Sequence, residues 1–201
     1  LNSHWFWKGY YAYGTKTRDH YYSSLVTYSF NKKEYQPTEF PIRTLSIETA
    51  YDVMSPSDKF LMTDKDNVFT AIRWQKVEQM YFYNRQKLKF DWETDGGFRT
   101  TAALKLESNR PTGELVFNRL SDDLSIQKIR TAEASIGLFY APGKTYINTK
   151  QHRFPVNLDA PEFNLSHTMG FKGVFGGQYR YNYTEASFYK RFWINSWGKI
   201  D

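Results

Sequence analysis

Cysteine is absent from all 201 residues. That excludes disulfides and thiolate-ligated metals, and by itself assigns no compartment. No apolar run approaches the roughly eighteen residues of a membrane-crossing helix. A barrel of strands is untouched by this, because barrel strands need only alternate. Charge of one sign is also scarce. Lys and Arg number 27 against 21 Asp and Glu, a net +6 that is scattered rather than gathered into a basic arm. An ordinary solvated surface is expected, and no nucleic acid partner.

Catalytic signatures are missing too. There is no G-x-S-x-G elbow. His4, His20, His152 and His167 show no H-E-x-x-H spacing. "DKDN" (64–67) begins like a calcium loop, but its sixth position is Phe69 rather than Gly and its twelfth is Gln75 rather than Glu. "GVFGG" (173–177) has no Lys-Ser/Thr after it and reads as a tight turn, not a phosphate cradle. No cofactor and no metal site are expected. The chain opens at Leu1 without a signal peptide and stops at Asp201, just inside an expected last strand, so it reads as an internal piece or a processed product.

Aromatic residues, in contrast, are abundant: 16 Tyr, 16 Phe and 6 Trp, 19% of the chain. Such enrichment suits β-sheets, sugar-binding faces or the girdles of membrane barrels. Apolar residues recur at spacing two almost everywhere, which predicts strands. Strands are expected at 5–14, 20–31, 42–54, 68–77, 79–94, 96–108, 114–120, 126–140, 145–154, 162–170 and 178–195, with a last one near Trp197. Residues 55–67 read as a loop. Asp95-Gly96 predicts a type I′ hairpin turn. About ten to twelve strands result, with no domain boundary between residues 1 and 201.

The stretch "GGFRTTAALKLES" (96–108) poses the central question. Phe98, Thr100, Ala102, Leu104 and Leu106 share one phase; Arg99, Thr101, Ala103, Lys105 and Glu107 share the other. In a strand these are opposite faces. A soluble protein turns the oily face inward; a membrane barrel turns it outward. Charges of both signs stand at mid-strand, namely Glu48, Arg99, Lys105, Glu107, Glu133, Glu185 and Arg191. They are the expected lumen-facing set. Trp5, Trp7, Trp92, Trp193 and Trp197 sit near strand ends and are the expected interfacial aromatics. The expected fold is all-β: an antiparallel transmembrane β-barrel, or a segment of a larger one. A soluble carbohydrate-binding β-sandwich or barrel would show the same alternation with its faces reversed. Asp91 and Glu93, alternate residues beside Trp92, are the only pair suggestive of a glycosidase, and a polar face explains them equally well. No catalytic residue is assigned.

The last third of the chain resembles a family of outer-membrane proteins from Bacteroidota. The stretches that carry the resemblance are "FNLSHTMGFKGVFGG" (163–177), "YNYTEASFYKRFW" (181–193) and "SWGKID" (196–201). "YYAYGTKTRD" (10–19), "FLMTDKDNVF" (60–69) and "PTGELVFNRL" (111–120) resemble it as well. The family has an amino-terminal carboxypeptidase-regulatory-like β-sandwich, absent here, before a large barrel distantly akin to BamA-type assembly barrels. The resemblance implies the bacterial outer membrane, outer-membrane lipid as surroundings, and other envelope-complex subunits as partners. The family's molecular function is unassigned, so the resemblance supplies no catalytic residues; a transport, protein-assembly or scaffolding role is the expectation for such a barrel.

Overall fold

A computed structural model of the chain describes residues 3–15, 18–54, 79–119, 124–193 and 199–200. The strands expected from alternation form where apolar residues recur mainly at spacing two. They are β1 (Trp5–Gly14), β2 (Asp19–Ser29), β3 (Arg43–Met54), β4 (Gln79–Glu93), β5 (Phe98–Gly113), β8 (Ile129–Tyr140), β11 (Glu162–Gly170) and β12 (Tyr181–Tyr189). Shorter pieces lie between and after them: β6 (Phe117–Asn118), β7 (Ser125–Ile126), β9 (Tyr146–Asn148), β10 (Arg153–Pro155), β13 (Phe192–Trp193) and β14 (Lys199–Ile200). No helix occurs among the described residues.

The eight long strands make one antiparallel sheet in the order β1-β2-β3-β4-β5-β8-β11-β12. Each neighbour is the next long strand in sequence, so the sheet is a meander. Its register keeps phases aligned across the sheet. Glu48 stands opposite Lys87, Lys87 opposite Lys105, and Lys105 opposite Glu133. On the other face Ile47, Leu88, Leu104 and Ala134 form the matching row. A slip of one residue would mix the two rows.

Three expectations from sequence need correcting. The turn after β4 is not type I′: neither Asp95 nor Gly96 has positive φ, and the left-handed residue is Gly97, at φ 80°. Gly97 N–H donates to the Thr94 carbonyl and Thr94 N–H to the Phe98 carbonyl, a turn closed by a glycine bulge. A Cβ at 97 would run into the Ala141 carbonyl. The expected strand at 145–154 is a small hairpin, β9–β10, which pairs with itself and not with the sheet. The expected strand at 114–120 shrinks to β6, because β5 continues through Pro111 to Gly113. The expected loop 55–67, "DKDN" and the expected strand 68–77 lie outside the described residues.

An ordinary hydrophobic core is nearly missing. Among the described residues the buried hydrophobic set is Ile42, Ala50, Tyr81, Phe82, Tyr83, Ala132, Ala141 and Ala160. Ile42 is its only branched aliphatic. The interior is instead polar: Thr27, Ser29, Lys33, Glu39, Thr44, Asp52, Asp91, Glu93 and Glu107 are all buried.

Candidate functional site

At mid-strand and toward the end of β3, β4, β5 and β8 that carries the aromatic rings, the aliphatic phase is open and the charged phase covered. Ile47 is 58% exposed, Leu104 57% and Ile136 51%, while Asp91 is 4%, Glu107 5% and Glu93 1% exposed. Soluble domains show the reverse order, since burying an unpaired charge costs far more than burying an aliphatic group recovers. Here the charged face is the covered one.

It is covered because its charges answer one another. Arg85 Nε donates to Glu107 Oε2 at 2.7 Å, and Glu48 lies 3.8 Å from the same guanidinium. Asp91 receives Lys89 at 2.7 Å and Arg99 at 3.0 Å, together with the Thr101 hydroxyl at 2.7 Å. Lys105 reaches Glu133 at 2.8 Å, and Tyr181 Oη donates to that carboxylate at 2.6 Å. Each ion-pair partner comes from a neighbouring strand or from two positions along the same one, and Tyr181 reaches Glu133 from β12 across β11. The alternation that put them on one face is therefore also what lets them meet.

A cap closes one end of this face. Residues 30–42, between β2 and β3, and the β9–β10 hairpin dock on each other there. Phe40 stacks on Tyr146 at 5.2 Å, and Asn148 exchanges hydrogen bonds with the Phe40 backbone at 2.9 and 3.2 Å. Glu93, at the end of β4, ties both pieces to the sheet. Its Oε2 accepts from Arg153 of β10 at 2.7 Å and from the Ile42 N–H at 2.8 Å.

The loop is organised from within by two buried ionic groups. Lys33 Nζ donates to the Glu39 and Pro41 carbonyls, both at 2.6 Å. Burial pushes this ammonium below the ordinary lysine range, against the pull of the Glu39 charge. Burial would push the Glu39 carboxyl up, but the backbone N–H groups of Glu34, Tyr35 and Gln36 converge on it and hold it below the usual glutamate value.

Between cap and sheet is a cavity of about 370 Å³, lined by Thr27, Thr44, Ser46, Lys87, Asp91 and Arg99 among others.

Of the charges singled out in the sequence, Glu48, Arg99, Lys105, Glu107 and Glu133 meet on this face, and Glu185 of β12 shares its phase. Arg191 lies just past β12, where its guanidinium donates to Tyr189. The sequence reading missed the cap residues Lys33, Glu39 and Arg153. Lys33 and Glu39 make their bonds within an irregular loop, Arg153 makes its own to a carboxylate sixty positions away, and no alternation marks any of the three. Asp91 and Glu93 are both held by cations, the surroundings of structural carboxylates rather than of a general acid. No cluster of His, Asp and Glu suited to a metal occurs among the described residues.

The open face carries a row of rings near one end of the strands. Phe188, Phe163, Tyr140 and Phe98 follow one another across β12, β11, β8 and β5, with centroids 4.9 to 6.4 Å apart. Across β4 and the neighbouring segments, Trp92, Phe90, Phe30, Tyr28 and Trp5 make a second such run. Trp5 and Trp92 are thus in the row, and Trp7 is exposed on the same face of β1. Trp197 and the side chain of Trp193 lie outside the described residues. At the opposite end, "GVFGG" is the tight turn expected, with Gly173, Phe175 and Gly176 all left-handed and Phe175 83% exposed.

A single antiparallel meander with paired charges on its covered side and aliphatic and aromatic residues on its open side defines an inside-out β-sheet protein. Residues 65–201 match the family described as the C-terminal domain of a family of unknown function, DUF5686, and the chain belongs to that family. No curated protein matches the chain, and no solved structure does.

Proposed function

We propose that this chain is wall from an outer-membrane β-barrel, its aliphatic face in lipid and its charged face toward a polar interior. The observation that carries the reading is the inverted burial: Leu104 is open while Glu107, three residues on, is covered. Lipid removes the penalty that water imposes on such a face, about 25 cal/mol per Å² of apolar surface. The ring row supports the same reading, since aromatic side chains gather where hydrocarbon gives way to headgroups. β4, β5 and β8 exceed the nine to eleven or so residues that a tilted strand needs to cross.

The role proposed for the whole protein is transport, protein assembly or scaffolding of an envelope complex, in a bacterial outer membrane and with other envelope subunits as partners. The cap favours an interior obstructed at one end over an open pore. The rival, a soluble carbohydrate-binding module, requires another protein surface to cover Ile47, Leu104, Ile136 and Leu165.

Spin labels at Ala102 and Lys105 distinguish the two. In liposomes, a label at 102 should relax faster with dissolved oxygen and one at 105 with a water-soluble nickel chelate. Shielding of position 102 from oxygen, in a particle that stays monodisperse without detergent, overturns the membrane reading.

A further inference from the structure

Lys87 breaks the pairing rule of the charged face. Arg85, Lys89, Arg99, Lys105 and Arg153 each reach a carboxylate within 4.0 Å. The Lys87 side chain makes no hydrogen bond and no ion pair among the described residues, although it stands at mid-strand on the same face. Its cross-strand neighbours are Glu48, already engaged with Arg85, and Lys105, a like charge. Asp91 is shared by two cations, Lys89 and Arg99, and so neutralises only one of them. Lys87, Lys89, Arg99 and Asp91 all line the cavity beneath the cap.

Charge is therefore in excess where space is. Counting the cavity lining together with the Arg153 partner Glu93, the cations are Lys87, Lys89, Arg99 and Arg153, and the anions are Glu48, Asp91 and Glu93. Glu48 is in addition drawn toward Arg85. Hydroxyl donors are also present. Thr27 Oγ1 and Ser46 Oγ bond each other at 3.0 Å; one hydroxyl proton makes that bond and the other is left to donate elsewhere. Cations with an uncommitted hydroxyl suit an oxyanion with several acceptor oxygens better than a carboxylate with two.

We infer that the cavity between the cap and strands β2 to β5 binds a phosphate ester, with Lys87 as its principal cation and Lys89 and Arg99 beside it. The cavity, about 370 Å³, has room for a small organic group attached to the phosphate. The site belongs to the charged face and does not depend on what covers the opposite one.

Titration calorimetry of the purified chain, in whatever medium keeps it monodisperse, tests this with two probes, inorganic phosphate and glycerol phosphate. Saturable binding of both is expected, tighter for the ester, and weakening as salt screens the cations. Lys87→Gln should weaken it by about tenfold or more, the loss of one charge-assisted contact. Lys172→Gln, on the exposed turn before β12, should leave it unchanged. Asp91→Asn should tighten it by removing the competing anion. Absence of saturable binding by chain with an intact β circular dichroism spectrum overturns the inference. So does equal weakening by the Lys87 and Lys172 substitutions. Because these readouts need no bilayer, their failure is separable from failure of the oxygen-relaxation experiment.

Discussion

Individual side chains in the cap report on pH and on burial separately. Glu39 has a folded pKa below its ordinary 4.5, since burial is outweighed by three converging backbone donors. A depressed carboxyl contributes stability that is fully present above the unfolded value and is lost as pH falls through the folded one. Acidification below about 4.5 should therefore loosen residues 30–42, seen as faster amide exchange at Glu34, Tyr35 and Gln36. Glu39→Gln should flatten that dependence; unchanged acid sensitivity in the variant would assign it elsewhere. Glu93 differs in kind, being fully covered and joined at once to the loop and to the hairpin from the end of β4. Glu93→Ala leaves Arg153 without its carboxylate and should cost about 3–5 kcal/mol in equilibrium denaturation. Glu185→Ala, on an exposed stretch of the same face, should stay within about 0.5 kcal/mol.

At the scale of strands, the two phases of β5 should respond oppositely to charge. In a bilayer, Leu104→Arg should destabilise refolded protein by about 2–4 kcal/mol, the cost of an arginine at the midplane of a lipid-facing strand. If water faced Leu104, the same change would fall within about 0.5 kcal/mol, so denaturant titration in liposomes decides between them. Strand identity was legible from spacing alone: β1 and β11 run over Trp5–Gly14 and Glu162–Gly170 as alternation marks them. Turn chemistry was less so. Asp95-Gly96 signals a type I′ hairpin, yet the chain makes Gly97 the left-handed residue. The Gly97 carbonyl accepts from the Ala141 N–H at 2.8 Å, and that bond to the next hairpin is invisible to a dipeptide rule. The hairpin β9–β10 was hidden for a related reason. Its residues alternate like any strand, but they pair with each other and dock on Phe40 and Glu93, contacts that alternation does not encode.

For the whole molecule the sheet edges matter most. Among the described residues, β1 pairs only with β2 and β12 only with β11. In hydrocarbon each unpaired backbone group along such an edge costs several kcal/mol, so an open sheet in lipid must find more strands. The 201-residue chain prepared by itself in detergent should therefore associate through these edges. Light scattering should then find species larger than one chain, and single-cysteine variants Tyr11→Cys and Thr184→Cys should cross-link between copies when mixed. No native cysteine interferes. A clean monomer in both measurements would mean that the edges are satisfied within the chain.

Alternation with period two determined that this protein is all strand, and it sorted Arg99, Lys105, Glu107 and Glu133 from Leu104 and Ile136 before any coordinates. What it could not determine was which set would be covered, because a strand reads the same with either face inward. The tertiary structure decided that. Register brings Arg85 to Glu107 and Lys105 to Glu133, so the charged face satisfies itself and takes the cap, and the oily face is left open. The cap too is a tertiary fact. The loop that holds Lys33 and Glu39, the end of β4 with Glu93 and the hairpin with Arg153 are separate parts of the chain, and only folding sets a buried carboxylate between a loop and a hairpin.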